Sequence, residues 1–143
     1  MSELINYSKK RLLDGGYTCV LYNGESEIVS SERGVSFLLG LYNSGKDYSG
    51  YVSADKVVGK GAALLYALLG IKEIYASVIS ESALSVLQKS GITCTYDTLV
   101  PHIINRRGDG ICPIESATMD IDNPADAPSV IVETLCALKG TKQ

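Results

Sequence analysis

The sequence predicts an α/β domain whose mixed sheet begins with a β-hairpin and continues through parallel βαβ units. Two β-rich runs flank Asn23-Gly24 in "YTCVLYNGESEIVS", the strongest short-range hairpin signal. From residue 51 onward, the strand-like runs "YVSAD", "EIYASVI" and "TCTYD" alternate with helical stretches at 57–69 and 82–90. Such alternation implies βαβ crossovers and a sheet with parallel members, covered on both faces. Gly70 and Gly91 stand just past the two helices, where a left-handed cap belongs.

Taken in chain order, residues 2–14 place Leu4, Ile5, Leu12 and Leu13 among polar neighbours, and Gly15-Gly16 ends the pattern, so this is an amphipathic helix. The hairpin follows, with a two-residue Asn-Gly loop whose central residues both need positive φ. "GVSFLLGLY" (34–42) is a helix and "NSGKDYSG" a loop. After the alternating units, "LVPHIINRRGDGICPIES" mixes loop with short helix. Asn123-Pro124 or Pro128 opens a last helix that Gly140 closes. Neither repeat nor linker interrupts the chain, and 143 residues make one domain, 1–143.

Composition excludes several classes. With 45% hydrophobic and 20% charged residues the chain buries a core, and its net charge of −3 disfavours a non-specific nucleic-acid binder. No uncharged stretch, that between Lys60 and Lys72 included, reaches the ~18 residues of a membrane span. Cys19, Cys94, Cys112 and Cys136 form no C-x-x-C pair, and no leader-like apolar run precedes the first charges. Free thiols in a cytoplasmic protein are the expectation. The nine tyrosines lack the paired spacing of an RNA-binding sheet.

The stretch "VSADKVVGKGAALLYAL" (52–68) places Lys56 and Lys60 where a strand meets a helix, at the positive end of the helix dipole. Four residues apart, they would share one helical face. A P-loop is ruled out, because Ala54 stands where its first glycine belongs and Gly61 follows Lys60. Gly59, Gly61, Ala62 and Ala63 make a small-residue surface that lets a helix approach the sheet closely. For the lysines two readings stand: snorkelling stems with Asp55 as neutraliser, or an anion site made with the helix amides. Ligands of open α/β sheets sit beyond the carboxyl ends of strands. The candidate cleft is therefore lined by Asp55, Lys56, Gly59, Lys60, Ser80 and Glu81, with Ser82 as a helix cap.

The order of hairpin, helix, strand, helix, strand, helix and strand resembles the cytidine-deaminase fold, which implies a three-layer sandwich. More narrowly, "SADKVVGKGAAL", "VISESAL" and "VPHIINRRGDGICPIE" resemble a small prokaryotic family of unknown function placed beside that fold, over roughly Gly16 to Asp122. Deaminases hold zinc with a His or Cys two residues before a Glu, then with Pro-Cys-x-x-Cys at the next junction. This chain offers Asp55-Lys56-Val57 or Val58-Gly59-Lys60 at the first junction and Ser80-Glu81-Ser82-Ala83 at the second. Neither carries His or Cys, so zinc-dependent deamination is excluded and no metal or cofactor is expected.

"NRRGDGICPIE" supplies further candidates. Asn105 and Arg106 donate to phosphate or carboxylate, or lie on a solvated loop. Cys112, in the same loop near two arginines, is the candidate nucleophile, with Glu115 as its base or orienting group; a small buried thiol is the alternative. His102 is read as a surface residue, and Cys19, Cys94 and Cys136 as core. The leading expectation is a zinc-less deaminase-like binding module for a small anionic metabolite or nucleotide. In it Lys56 and Lys60 meet the anion, Asp55 and Glu81 hydrogen-bond the remainder, and Arg106 closes over it. Two alternatives are a metal-independent transferase or hydrolase using Cys112 or an Asp55/Glu81 carboxylate, and a homo-oligomeric subunit whose cleft is an interface.

Overall fold

The computed structural model describes residues 2–32, 35–105 and 107–140. Ser2 caps the first helix, α1 (Glu3–Gly15), by accepting the Ile5 N–H, and Gly16 ends it with φ 68°. Strands β1 (Cys19–Tyr22) and β2 (Glu27–Ser30) form the antiparallel hairpin. Its loop has four residues rather than two. Asn23 Oδ1 accepts the N–H groups of Glu25 and Ser26, and only Gly24, at φ 99°, takes the left-handed conformation. The asparagine side chain thus replaces the expected tight turn.

Helix α2 (Ser36–Asn43) leads to β3 (Val52–Val58), α3 (Lys60–Leu69), β4 (Glu73–Ser80), α4 (Glu81–Lys89) and β5 (Thr93–Val100). A short helix α5 (Pro113–Thr118), a single 3-10 turn at Pro124–Asp126 capped by Asn123, and α6 (Ala127–Gly140) complete the described residues. The five-stranded mixed sheet has the order β2-β1-β3-β4-β5, antiparallel across β1 and parallel from β3 to β5. This is an α/β sandwich. Helix α1 covers one face through Ile5 and Leu12 against Val20, Val52, Ala54 and Tyr75. The larger core lies on the other face, around the almost wholly buried α3, where α2, α4, α5 and α6 gather.

Two strands run further than the sequence pattern suggests. β3 continues through Lys56 and Val57 to Val58, and β5 continues past Asp97 to Val100. The pairs Val57↔Val78 and Val58↔Ile79, then Ile79↔Leu99 and Ser80↔Val100, extend the parallel ladders. Ladder hydrogen bonding with a central strand outweighs the local charge pattern that suggested an earlier helix start. The passage from β3 into α3 is therefore the single residue Gly59.

Candidate functional site

Gly59 is the N-cap of α3 and has no side chain to cap it, so the first amides of the helix need an outside acceptor. Glu115 of α5 supplies it. Its Oε1 accepts the Lys60 N–H at 2.9 Å, the Ser80 hydroxyl at 2.6 Å and the Ser82 hydroxyl at 3.3 Å; its Oε2 accepts the Ile103 N–H. The residue is 1% exposed. The amide-rich start of α3, expected to receive an external anion, is thus filled by a carboxylate of the same chain. The glycines serve this approach. A Cβ on Gly59 would stand 3.2 Å from Ile103 Cγ1 and 3.4 Å from Glu115 Oε1, and one on Gly61 would stand 2.6 Å from Ile114 Cγ2. The neighbours coming close are α5 and the segment before it, not the sheet.

The lysines do not form a pair. Because β3 extends to Val58, Lys56 lies within the strand, exposed, and its N–H donates to Thr18 O. Lys60 opens α3 and is 8% exposed; its ammonium donates to Met119 O, at the end of α5, at 2.5 Å. Among the described residues no carboxylate lies within ion-pair distance of that ammonium. At the second junction Ser80, not Ser82, caps α4 by accepting the Ala83 N–H, while Glu81 is exposed in the first turn. The Ser82 hydroxyl turns to Glu115 instead.

Asp55 also lies inside β3 rather than at its end, and it faces α3. Tyr66 OH donates to its Oδ2 at 2.7 Å, and the Val57 N–H reaches Oδ1 at 3.3 Å. Ser53 Oγ stands 2.8 Å and Cys19 Sγ 3.4 Å from the same phenol oxygen. Burial pushes the Asp55 carboxyl up to about 7, against the lowering effect of its hydrogen bonds. Desolvation likewise raises Tyr66 and Cys19. This closed network does not line the cleft that Asp55 was expected to share with Lys56. Its sequence signal was Ser53 and Asp55 two apart in a strand, two polar groups on one inward face requiring partners.

The 101–112 segment folds back through the Ile104↔Ile111 bridge. Asn105 exchanges hydrogen bonds with Asp109, and its N–H donates to Gly110 O, so its side chain holds the Gly108-Asp109-Gly110 turn. Arg106 lies outside the described residues. Cys112 is the half-buried N-cap of α5, with no side-chain capping bond. Glu115 is turned toward α3 and α4 and makes no hydrogen bond to the Cys112 thiol, so the expected Cys112–Glu115 pair is not assembled. His102 is half-buried, with Nδ1 lacking a partner among the described residues.

Beside this carboxylate, a groove of about 250 Å³ runs along α4, between it and the segment after α5. It is lined by Lys60 at the start of α3, by Ser82, Ser85, Val86 and Lys89 of α4 with Ser90 after them, and by Ile121, Asp122 and Pro124. Of these only Lys60 was expected as a site residue. Ser82, Ser85 and Lys89 recur at helical spacing, a pattern that in sequence reads as an ordinary solvated face. A second depression, of about 270 Å³ near Gly70 and Gly91, lies at the opposite ends of these strands. A deaminase-type zinc ion does not fit the junctions, where Gly59, Lys60, Ser80 and Ser82 stand. No group of three or more His, Cys, Asp or Glu side chains converges among the described residues. No helix among them is long and apolar enough to cross a membrane.

Comparison with known proteins agrees with this architecture. The family described as "TM1506: Domain of unknown function (DUF1893)" matches residues 7–135. The crystal structure of a DUF1893 family protein (TM1506) from Thermotoga maritima superposes with a TM-score of 0.86 at 25% sequence identity, covering 93% of this chain and 90% of that one. No curated protein sequence matches the chain.

Proposed function

The chain belongs to the DUF1893 family, and from the geometry above we propose that it is a binding domain for a small anionic ligand held in the groove along α4. The observation that carries this reading is Lys60, which is 8% exposed as a residue and lines the groove, its part-buried ammonium having one hydrogen-bond partner among the described residues, the Met119 carbonyl. An ammonium has three N–H donors, so two remain for a ligand at the groove wall. Lys89 adds a second cation and Ser85 a hydroxyl without a partner among the described residues. On this reading Lys60 keeps its expected role, and Ser82, Ser85 and Lys89 replace Asp55, Lys56, Glu81 and Asn105 around the anion. The scaffold is a zinc-less relative of the cytidine-deaminase fold, a reading supported by the hairpin beside three parallel strands.

The test is differential scanning fluorimetry and calorimetry with a panel of small carboxylates, sulfate, phosphomonoesters and nucleotides. Binding of at least one anion, lost in Lys60→Met and weakened in Lys89→Ala, is expected. If every anion leaves the melting temperature of the wild type unchanged, the reading is wrong.

A further inference from the structure

Resting on that reading, we propose that the anion is the phosphate of a short, hydroxylated phosphomonoester of the glycerol-phosphate type. Lys60 and Lys89 line the same groove as Ser82 and Ser85, and of the two serine hydroxyls that of Ser85 has no partner among the described residues. With Asp122 in the same groove the two lysines leave one net positive charge, and the three acceptor oxygens of a phosphate monoester can meet N–H donors of both ammonium groups where a monocarboxylate offers two oxygens. Lysine binds phosphate as a point charge, and among the described residues no arginine, whose guanidinium fork suits a planar carboxylate, lines the groove.

The segment after α5 selects the organic part. Asp122 is an acceptor without an ion-pair partner among the described residues, placed to take a hydroxyl from the ligand body; Ile121 and Pro124 flank it with apolar surface. No Tyr, Phe or His lines the groove, so a nucleobase finds no stacking surface. At about 250 Å³ the groove lies below the roughly 300–1,000 Å³ of pockets for drug-sized ligands. A body of three or four carbons fits these limits.

The experiment is calorimetric titration of the full chain, at low salt, with glycerol 3-phosphate, inorganic phosphate, succinate and adenosine monophosphate. Glycerol 3-phosphate is expected to bind most tightly. Its affinity should rise several-fold from pH 5 to pH 7, as the second phosphate proton with pKa about 6 is lost. Lys89→Ala, an exposed position that leaves folding intact, should weaken it about tenfold. Asp122→Asn should shrink its advantage over inorganic phosphate. If succinate or adenosine monophosphate binds tighter in a Lys60-dependent way, the phosphomonoester assignment falls while the anion site stands. If none of the four binds, both fall.

Discussion

Asp55→Asn should change how stability depends on pH, and the structure sets the size of the effect. The Asp55 carboxyl faces Tyr66, Ser53 and Cys19 with no cation within ion-pair distance among the described residues, and burial raises it from 3.8 to about 7. At 1.36 kcal/mol per unit, a raise of about three units is worth about 4 kcal/mol. Because the folded-state value is the higher one, this stabilisation is full below the unfolded value near 4 and is lost as the pH rises through about 7. Glu27, lowered by Arg11 and Tyr7, and Asp47, lowered by the Ser49 N–H, act in the opposite sense, losing their contribution as the pH falls. Both remain in the variant and cancel in the difference. Urea unfolding followed by tyrosine fluorescence, in a chain with nine Tyr and no Trp, measures both proteins across pH 4.5 to 7.5. Over that range the wild type should lose about 3 kcal/mol relative to Asp55→Asn. Parallel curves would refute the reasoning, since they would mean that Asp55 titrates alike in the folded and unfolded chains.

Glu115→Gln should destabilise by about 3 kcal/mol in chemical denaturation, because an amide nitrogen replaces an acceptor among four buried or part-buried donors; hydrogen exchange should quicken at the Ile103 amide. Gly61→Ala should cost about 1–2 kcal/mol despite better helix propensity, since its Cβ would meet Ile114 Cγ2 at 2.6 Å. The control Gly40→Ala, in α2 with open space around the new methyl, should gain about 0.5–1 kcal/mol in the same assay. Thiol titration with a disulfide reagent should find exposed Cys136 fast and buried Cys19 silent until the chain unfolds.

Much of the fold was legible because its signals are local. Gly16 and Gly70 end their helices in the left-handed conformation, and the alternation of strands and helices after residue 51 fixes the parallel ladders. What misled is equally specific. Lys56 and Val57 do not read as buried-strand residues, yet β4 beside them holds the ladder through Val58, and this moves Asp55 and Lys56 off the helix start. The groove was illegible for another reason. Lys60 and Lys89 are 29 residues apart, and Ser85 has no motif, so only packing of α4 against the segment after α5 brings these groups together.

The oddity of a lysine at the positive end of a helix resolves into an exchange between two elements. Glu115 leaves α5 to satisfy the first amides of α3, and Lys60 leaves α3 to satisfy a terminal carbonyl of α5. Each charge meets the helix end of opposite polarity. The exchange is unequal, however. Four donors saturate Glu115, whereas one carbonyl engages Lys60, although both residues are more than nine-tenths buried. Methionine at position 60 would keep the stem packing and lose one hydrogen bond, a cost of about 1 kcal/mol that removal of a charge from a largely buried position offsets. Lys60→Met should therefore be as stable as the wild type in the absence of ligand and fail only in anion binding. A large loss of stability in that variant would place Lys60 among the structural groups and remove the main support for the groove as a binding site.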